Sequence, residues 1–277
     1  MLTREGLATI SQHKAASDSR LMADLREFSR RFRESHGTSS GPTAPYWRYD
    51  PMDHGMRRWE YPFLAERVLA MGADAPLRML DAGAGMTCVP WYFADRLPNA
   101  TVDACDMDPP LPAMYDTINA KSKRGVRFTD ADLRKLPYDD ATFDLIFCMS
   151  VLEHTDEYDR IIREFRRALR PGGALIVTFD ISLDGRTDIE VSRAEKLIES
   201  LATHFDGVPT DALIPLAERL KISELLTTDH LRKTSPELLP WHMTPRMFFG
   251  ALRRFQLPKT PFFSITVCGL SLTRPAN

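Results

Sequence analysis

Asp81-Ala82-Gly83-Ala84-Gly85 is the segment of this sequence best suited to chemistry. It is a glycine-rich turn that follows a short apolar run, Leu77–Leu80, and opens a helical stretch near Cys88–Leu97. Glycines at such a turn let the backbone approach a ligand where a Cβ would clash. A second acid, Asp106, stands 23 residues after Gly83 at the end of the next apolar run, about where an acid meets ribose hydroxyls in dinucleotide sites. The nicotinamide fingerprint wants a third small residue at position 88, and this chain has Cys88 there. A pyrophosphate at the helix N-terminus would be repelled by Asp81, two residues before the first glycine, whereas a cationic amino-acid end would be attracted. S-adenosylmethionine has an ammonium and a sulfonium but no phosphate, and it is the cofactor this loop predicts.

The elements that must position these residues follow from hydrophobic patterning. Strands are expected at Leu77–Leu80, Thr101–Cys105, Val126–Phe128, Phe143–Met149, Ala174–Phe179 and Phe262–Leu272. Helices are expected near 17–35, 60–71, 88–97, 111–121, 156–170 and 189–203, with Arg170 at the end of the fifth and Pro171-Gly172-Gly173 stopping it. Strands alternating with helices of this length imply a parallel sheet covered on both faces, and the nearly unbroken apolar run Phe143–Met149 suits such a strand. The chain divides into a helical extension or lid at 1–75 and a core at 76–277, with a substrate-binding insertion at 181–260.

Composition narrows the function classes. The 277 residues are 43% hydrophobic and 27% charged, a globular balance. A net charge of −2 gives no electrostatic ground for a nucleic-acid partner. No apolar stretch is long enough for a membrane helix and no secretory leader is visible. Cys88, Cys105, Cys148 and Cys268 form no CxxC pair and no metal set with His, so they read as reduced core residues of a cytoplasmic protein.

From about Leu77 to Asp180 the sequence resembles the class I S-adenosylmethionine-dependent methyltransferases. Leu80-Asp81-Ala82-Gly83-Ala84-Gly85 looks like the family's first motif, and Val102–Asp108 like its second strand with the ribose-binding acid. Thr129–Tyr138 resembles the adenine-contacting loop, and Phe143–His154 with Leu169–Gly173 the fourth and fifth strand motifs. The resemblance implies a doubly wound, Rossmann-like α/β fold: a mostly parallel seven-stranded sheet with an antiparallel last strand. It implies that Asp81, Ala82, Gly83, Gly85 and Thr87 hold the methionine moiety, with Thr87 where the family often has a third glycine. Asp106 is expected to accept both ribose hydroxyls and Met107 to pack on the adenine. Ala131, Asp132 and Leu133 are expected to read the adenine, and Met149 and Ser150 to lie beside the methyl donor.

The acceptor is less legible. A hydroxyl acceptor gains from a general base, and His154, just past the fourth strand, is the best-placed histidine; it suits a pocket wall equally well. Asp180, at the end of the fifth strand, and Trp241 and His242 are the candidate substrate residues. The aromatic run Tyr46–Phe63 suits a pocket floor or ordinary core packing. Metal-dependent RNA-end enzymes place a Glu four residues before the His, where this chain has Ser150, so no metal site is expected. The expected reaction is O-methylation of a small molecule, glycan-like or natural-product-like, without nucleic acid or membrane. A non-catalytic S-adenosylmethionine-binding protein and a protein or RNA methyltransferase stay open.

Overall fold

The computed structural model describes residues 2–38, 40–41, 43–72, 76–186, 189–209, 216–239 and 263–276. Five parallel strands form its centre: β2 (Leu77–Ala82), β3 (Ala100–Asp106), β4 (Arg127–Asp130), β5 (Phe143–Met149) and β6 (Leu169–Ser182). Two short strands, β1 (Gly6–Leu7) and β7 (Ile189–Glu190), and the last strand, β8 (Ile265–Thr273), complete an eight-stranded sheet. Its order is β1-β8-β6-β5-β2-β3-β4, with β7 paired to the end of β6. β8 runs antiparallel to β6, as expected, and β1 antiparallel to β8.

Successive side chains of a strand point to opposite faces, and the buried residues separate accordingly. Met79, Leu145, Phe147 and Ile176 enter one core; Leu80, Ile146, Cys148 and Val177 enter the other. The first core is closed by α2 (Arg20–His36), α3 (Arg57–Gly72), α4 (Val89–Arg96) and α5 (Leu111–Asn119). The second is closed mainly by α6 (Tyr158–Ala168) and α7 (Val191–His204). Both faces are therefore covered, which is why β5 and β6 tolerate almost no polar residues along their centres.

The helical stripe predicted near 17–35 is α2; the Ser19 side chain caps it by accepting the Met22 N–H at 3.0 Å, and Leu25 and Phe32 are buried. Three readings need correction. The sheet has eight strands rather than seven, because pairs of residues too short to show a period add to its edges. The fifth predicted helix ends at Ala168, and Arg170 with Pro171-Gly172-Gly173 lies inside β6 as an irregular start. Gly172 has φ +76 and the pairing of β6 with β5 shifts there, so this turn chemistry makes a bulge and not only a helix stop. Residues 1–75 do not stand apart from the core: β1 joins the sheet and α2 and α3 form part of one layer. Within 181–260, β7 and α7 likewise extend the core. All four cysteines are buried, and none is joined in a disulfide. Among the described residues no helix is long and apolar enough to cross a membrane, and no His, Cys, Asp and Glu group is arranged to hold a metal ion.

Candidate functional site

The order of the parallel strands reverses between β2 and β5, and in open α/β sheets ligands bind outside the carboxyl ends of the strands at such a point. The glycine turn leaves β2 here. Gly83 and Ala84 donate their N–H groups to the Cys105 carbonyl at 2.9 and 3.0 Å, which ties the turn to the end of β3. Gly83 has φ +76 and Gly85 has φ +51, in the left-handed region. A Cβ on Gly85 would meet nothing within 4 Å, so the backbone there faces open space. A Cβ on Gly83 would lie 2.7 Å from Val151, which follows β5 across the switch point. Gly83→Ala is therefore expected to lose about 1–3 kcal/mol of stability from backbone conformation and contact together. Val151→Ala should restore only the contact share in a urea melt of the double variant. Equal stability of Gly83→Ala and the native protein would show that the turn does not need this glycine.

Two cavities meet over Gly83 and Val151, which line both. The larger, about 300 Å³, is bounded by Asp106, Met107, Ala131, Asp132, Leu133 and His154. The smaller, about 180 Å³, is bounded by Arg57, Asp81, Gly85, Thr87, Met149 and Ser150, among others. Asp81 is buried, and burial first and the nearby Asp106 second push its carboxyl well above the usual range. A buried acid of this kind fits an incoming ammonium, which would repay its desolvation.

Asp106 organises the larger cavity. One carboxylate oxygen accepts the Gly85 N–H at 2.9 Å and the other the Asp108 N–H at 3.0 Å. It thus fixes the glycine turn while keeping lone pairs for a ligand. Met107 is 64% exposed at the rim, a large apolar side chain placed to cover a flat ring. Asp132 differs from expectation in its partners. Arg134 forks onto it at 2.6–2.9 Å, with the Arg134 backbone N–H adding a contact, and these hold it down at about 2. The acid is on the cavity wall, already paired. His154 ends a short 3₁₀ turn, Leu152–His154, and lines the larger cavity beside Asp132; it does not line the smaller one. Ala82 is buried at the end of β2 and supports the turn without lining either cavity.

The smaller cavity has a wall that motif reading missed. Arg57, from α3, sits 3.0 Å from both carboxylate oxygens of Glu60, which is 1% exposed, and donates to Ser150 Oγ. Ser150 and Thr178 hydroxyls donate to Glu60 Oε1. Ser150 holds φ +51, a strained position for a non-glycine residue, right after β5. The available signal was weak, a charged pair three residues apart in a helix that also carries Arg58, Glu66 and Arg67. Asp180 lies near Arg57 and Glu153 at the end of β6, inside this polar group. Trp241 and His242 lie outside the described residues. The aromatic run divides: Trp59 and Phe63 stack at 4.9 Å in the core, Tyr61 lines the smaller cavity, and the Tyr46 hydroxyl donates to Asp108 at 2.6 Å. Asp144 is structural, accepting from the Arg78 N–H at 2.8 Å and from Arg170 at 2.6 Å.

Comparisons with known proteins agree with this geometry. Residues 80–177 match the family described as a methyltransferase domain. Demethylmenaquinone methyltransferase of Thermus thermophilus is 30% identical over 128 residues, 41% of this chain and 58% of that protein. Methyltransferase GfsG of Streptomyces halstedii is 30% identical over 180 residues, 61% of this chain and 62% of that protein. The chain thus spans about three fifths of the length of these curated relatives. The solved phosphoethanolamine N-methyltransferase 2 of Haemonchus contortus, in complex with S-adenosyl-L-methionine, superposes with a TM-score of 0.52 at 16% identity, over 90% of this chain and 60% of that one, and so shares the fold. The family match begins at Leu80, next to the buried acid, and ends at Val177, next to the Thr178 that meets Glu60; this central segment is a methyltransferase domain.

Proposed function

We propose that this protein binds S-adenosylmethionine across the two cavities and transfers its methyl group to a hydroxyl of a small molecule, glycan-like or natural-product-like. The observation that carries the reading is the pair of cavities joined over Gly83, with a buried acid in one and a loop-fixing acid in the other. Asp81 would meet the amino-acid ammonium, with the backbone at Gly83 and Gly85 and the Thr87 side chain around it and Ala82 supporting the turn from behind. Asp106 would accept the ribose hydroxyls. Met107, Ala131, Leu133 and His154 would enclose the adenine, with Asp132 at its edge. When bound, the cofactor supplies a methyl carbon already activated by a sulfonium, so the protein's task is to align the acceptor and exclude water. Met149, Ser150 and Asp180 stand where an acceptor would approach, and the burial of Glu60, Ser150 and Thr178 favours a small acceptor over a macromolecular chain.

Thermal unfolding in parallel with S-adenosylmethionine, S-adenosylhomocysteine, NAD and NADP tests the donor. A ligand at about 100 times its dissociation constant adds roughly 2.7 kcal/mol, a readable shift. Stabilisation by the two adenosyl-sulfur compounds alone is expected, and labelled methyl transfer to a panel of hydroxyl compounds then identifies the acceptor. Stabilisation by NAD or NADP alone would overturn the reading.

A further inference from the structure

Glu153 follows β5 and is 4% exposed. Its Oε1 accepts the Asp180 N–H at 3.4 Å, a long contact, and among the described residues its Oε2 has no hydrogen-bond partner. A buried carboxylate oxygen without a donor is costly, and such orphans mark places completed by a ligand. The groups facing Glu153 are Asp180 from β6, Arg57 and Glu60 from α3, Cys148 from β5 and Tyr158 from α6. Arg57 is also a wall of the smaller cavity, whereas Glu153 itself borders neither cavity. His154, next in sequence, opens onto the larger cavity.

We propose that Glu153, not His154, receives the acceptor's proton: its free Oε2 takes the hydrogen bond of the acceptor hydroxyl and then the proton. This rests on the methyl-transfer reading above. As the acceptor oxygen bonds to the methyl carbon its O–H bond breaks, the proton passes to Oε2, and the carbon–sulfur bonding pair stays on sulfur as a neutral thioether. Burial first, and the nearby Asp180 second, raise the Glu153 carboxyl well above the usual range, which favours its taking up a proton.

The test needs no acceptor. Sinefungin carries an amine-bearing carbon in place of the sulfonium and its methyl, so it presents an N–H donor where the methyl would point; S-adenosylhomocysteine presents a bare thioether. Calorimetric titration of the full chain should show sinefungin binding tighter by about tenfold or more, as one charge-assisted hydrogen bond gives. Glu153→Gln should erase most of that preference and leave S-adenosylhomocysteine affinity near native. Equal affinities in the native protein, or a preference that survives Glu153→Gln, would overturn the assignment. If neither compound binds, the methyl-transfer reading itself fails, which is a distinct result. Should Glu153→Gln not fold, the native protein still decides. The amine contact is strongest with an ionised Glu153, whose carboxyl is raised, so the preference should grow as pH rises above the usual carboxylate range, and a ratio that falls with pH would overturn the proposal.

Discussion

Asp106→Ala is expected to weaken S-adenosylmethionine binding by roughly a hundredfold or more. The carboxylate would lose its ribose contacts, each a charge-assisted hydrogen bond of about 1.5–3 kcal/mol. It also accepts the Gly85 and Asp108 N–H groups, so its loss loosens the turn that forms the methionine end. Both consequences act in one direction and reach both cavities from one side chain. Titration calorimetry measures the effect directly, and Asp106→Asn separates the two parts, because an amide oxygen can still accept one backbone N–H. Unchanged affinity in Asp106→Ala would remove this residue from the site. A loss confined to the alanine variant would assign it to loop order alone.

Arg57→Ala is expected to cost about 3 kcal/mol or more of folding stability, a fall in Tm of roughly 10 °C. The reason is the partner left behind. Glu60 is almost fully buried, and without the guanidinium it keeps only the Ser150 and Thr178 hydroxyls as donors. Breaking one side of a buried ion pair costs more than the pair contributes, since the remaining charge is neither solvated nor paired. Adding Glu60→Gln to Arg57→Ala should therefore recover much of the loss, a coupling that a double-mutant cycle in urea reads directly. A single-variant effect below about 1 kcal/mol would show that Glu60 reaches water.

How much of this was legible in the sequence depends on whether a residue's partner is near in the chain. The five central strands and the cofactor turn carry local signals: unbroken apolar runs, a glycine pair, and an acid at a strand end. Asp81, Gly83, Asp106, Leu133 and Met149 line the two cavities. The Arg57–Glu60–Ser150–Thr178 group was not legible, because it joins a helix to two strands roughly 90 and 118 positions away. Its residues look like ordinary surface charge and strand hydroxyls until the fold closes. Asp132 shows the opposite limit. Its place on the cavity wall followed from its motif, but its capture by Arg134, two residues on, is a side-chain choice that no period reveals. The edge strands β1 and β7 were missed because two residues cannot display alternation.

The pairing of β1 with β8 has a consequence for the order of assembly. Gly6 lies opposite Gly269 and Leu7 opposite Cys268, so two segments roughly 260 positions apart in sequence pair directly. Contacts this distant in sequence close late, after the loop entropy between them has been overcome. Until then β1 is without its partner strand, and the central strands must collapse without it. When β8 does arrive, it is zipped along β6 through nine paired positions and then covered on its other side by β1. At Cys268 and Gly269, β1 thus serves as a latch that shields this part of β8 from pairing with another molecule.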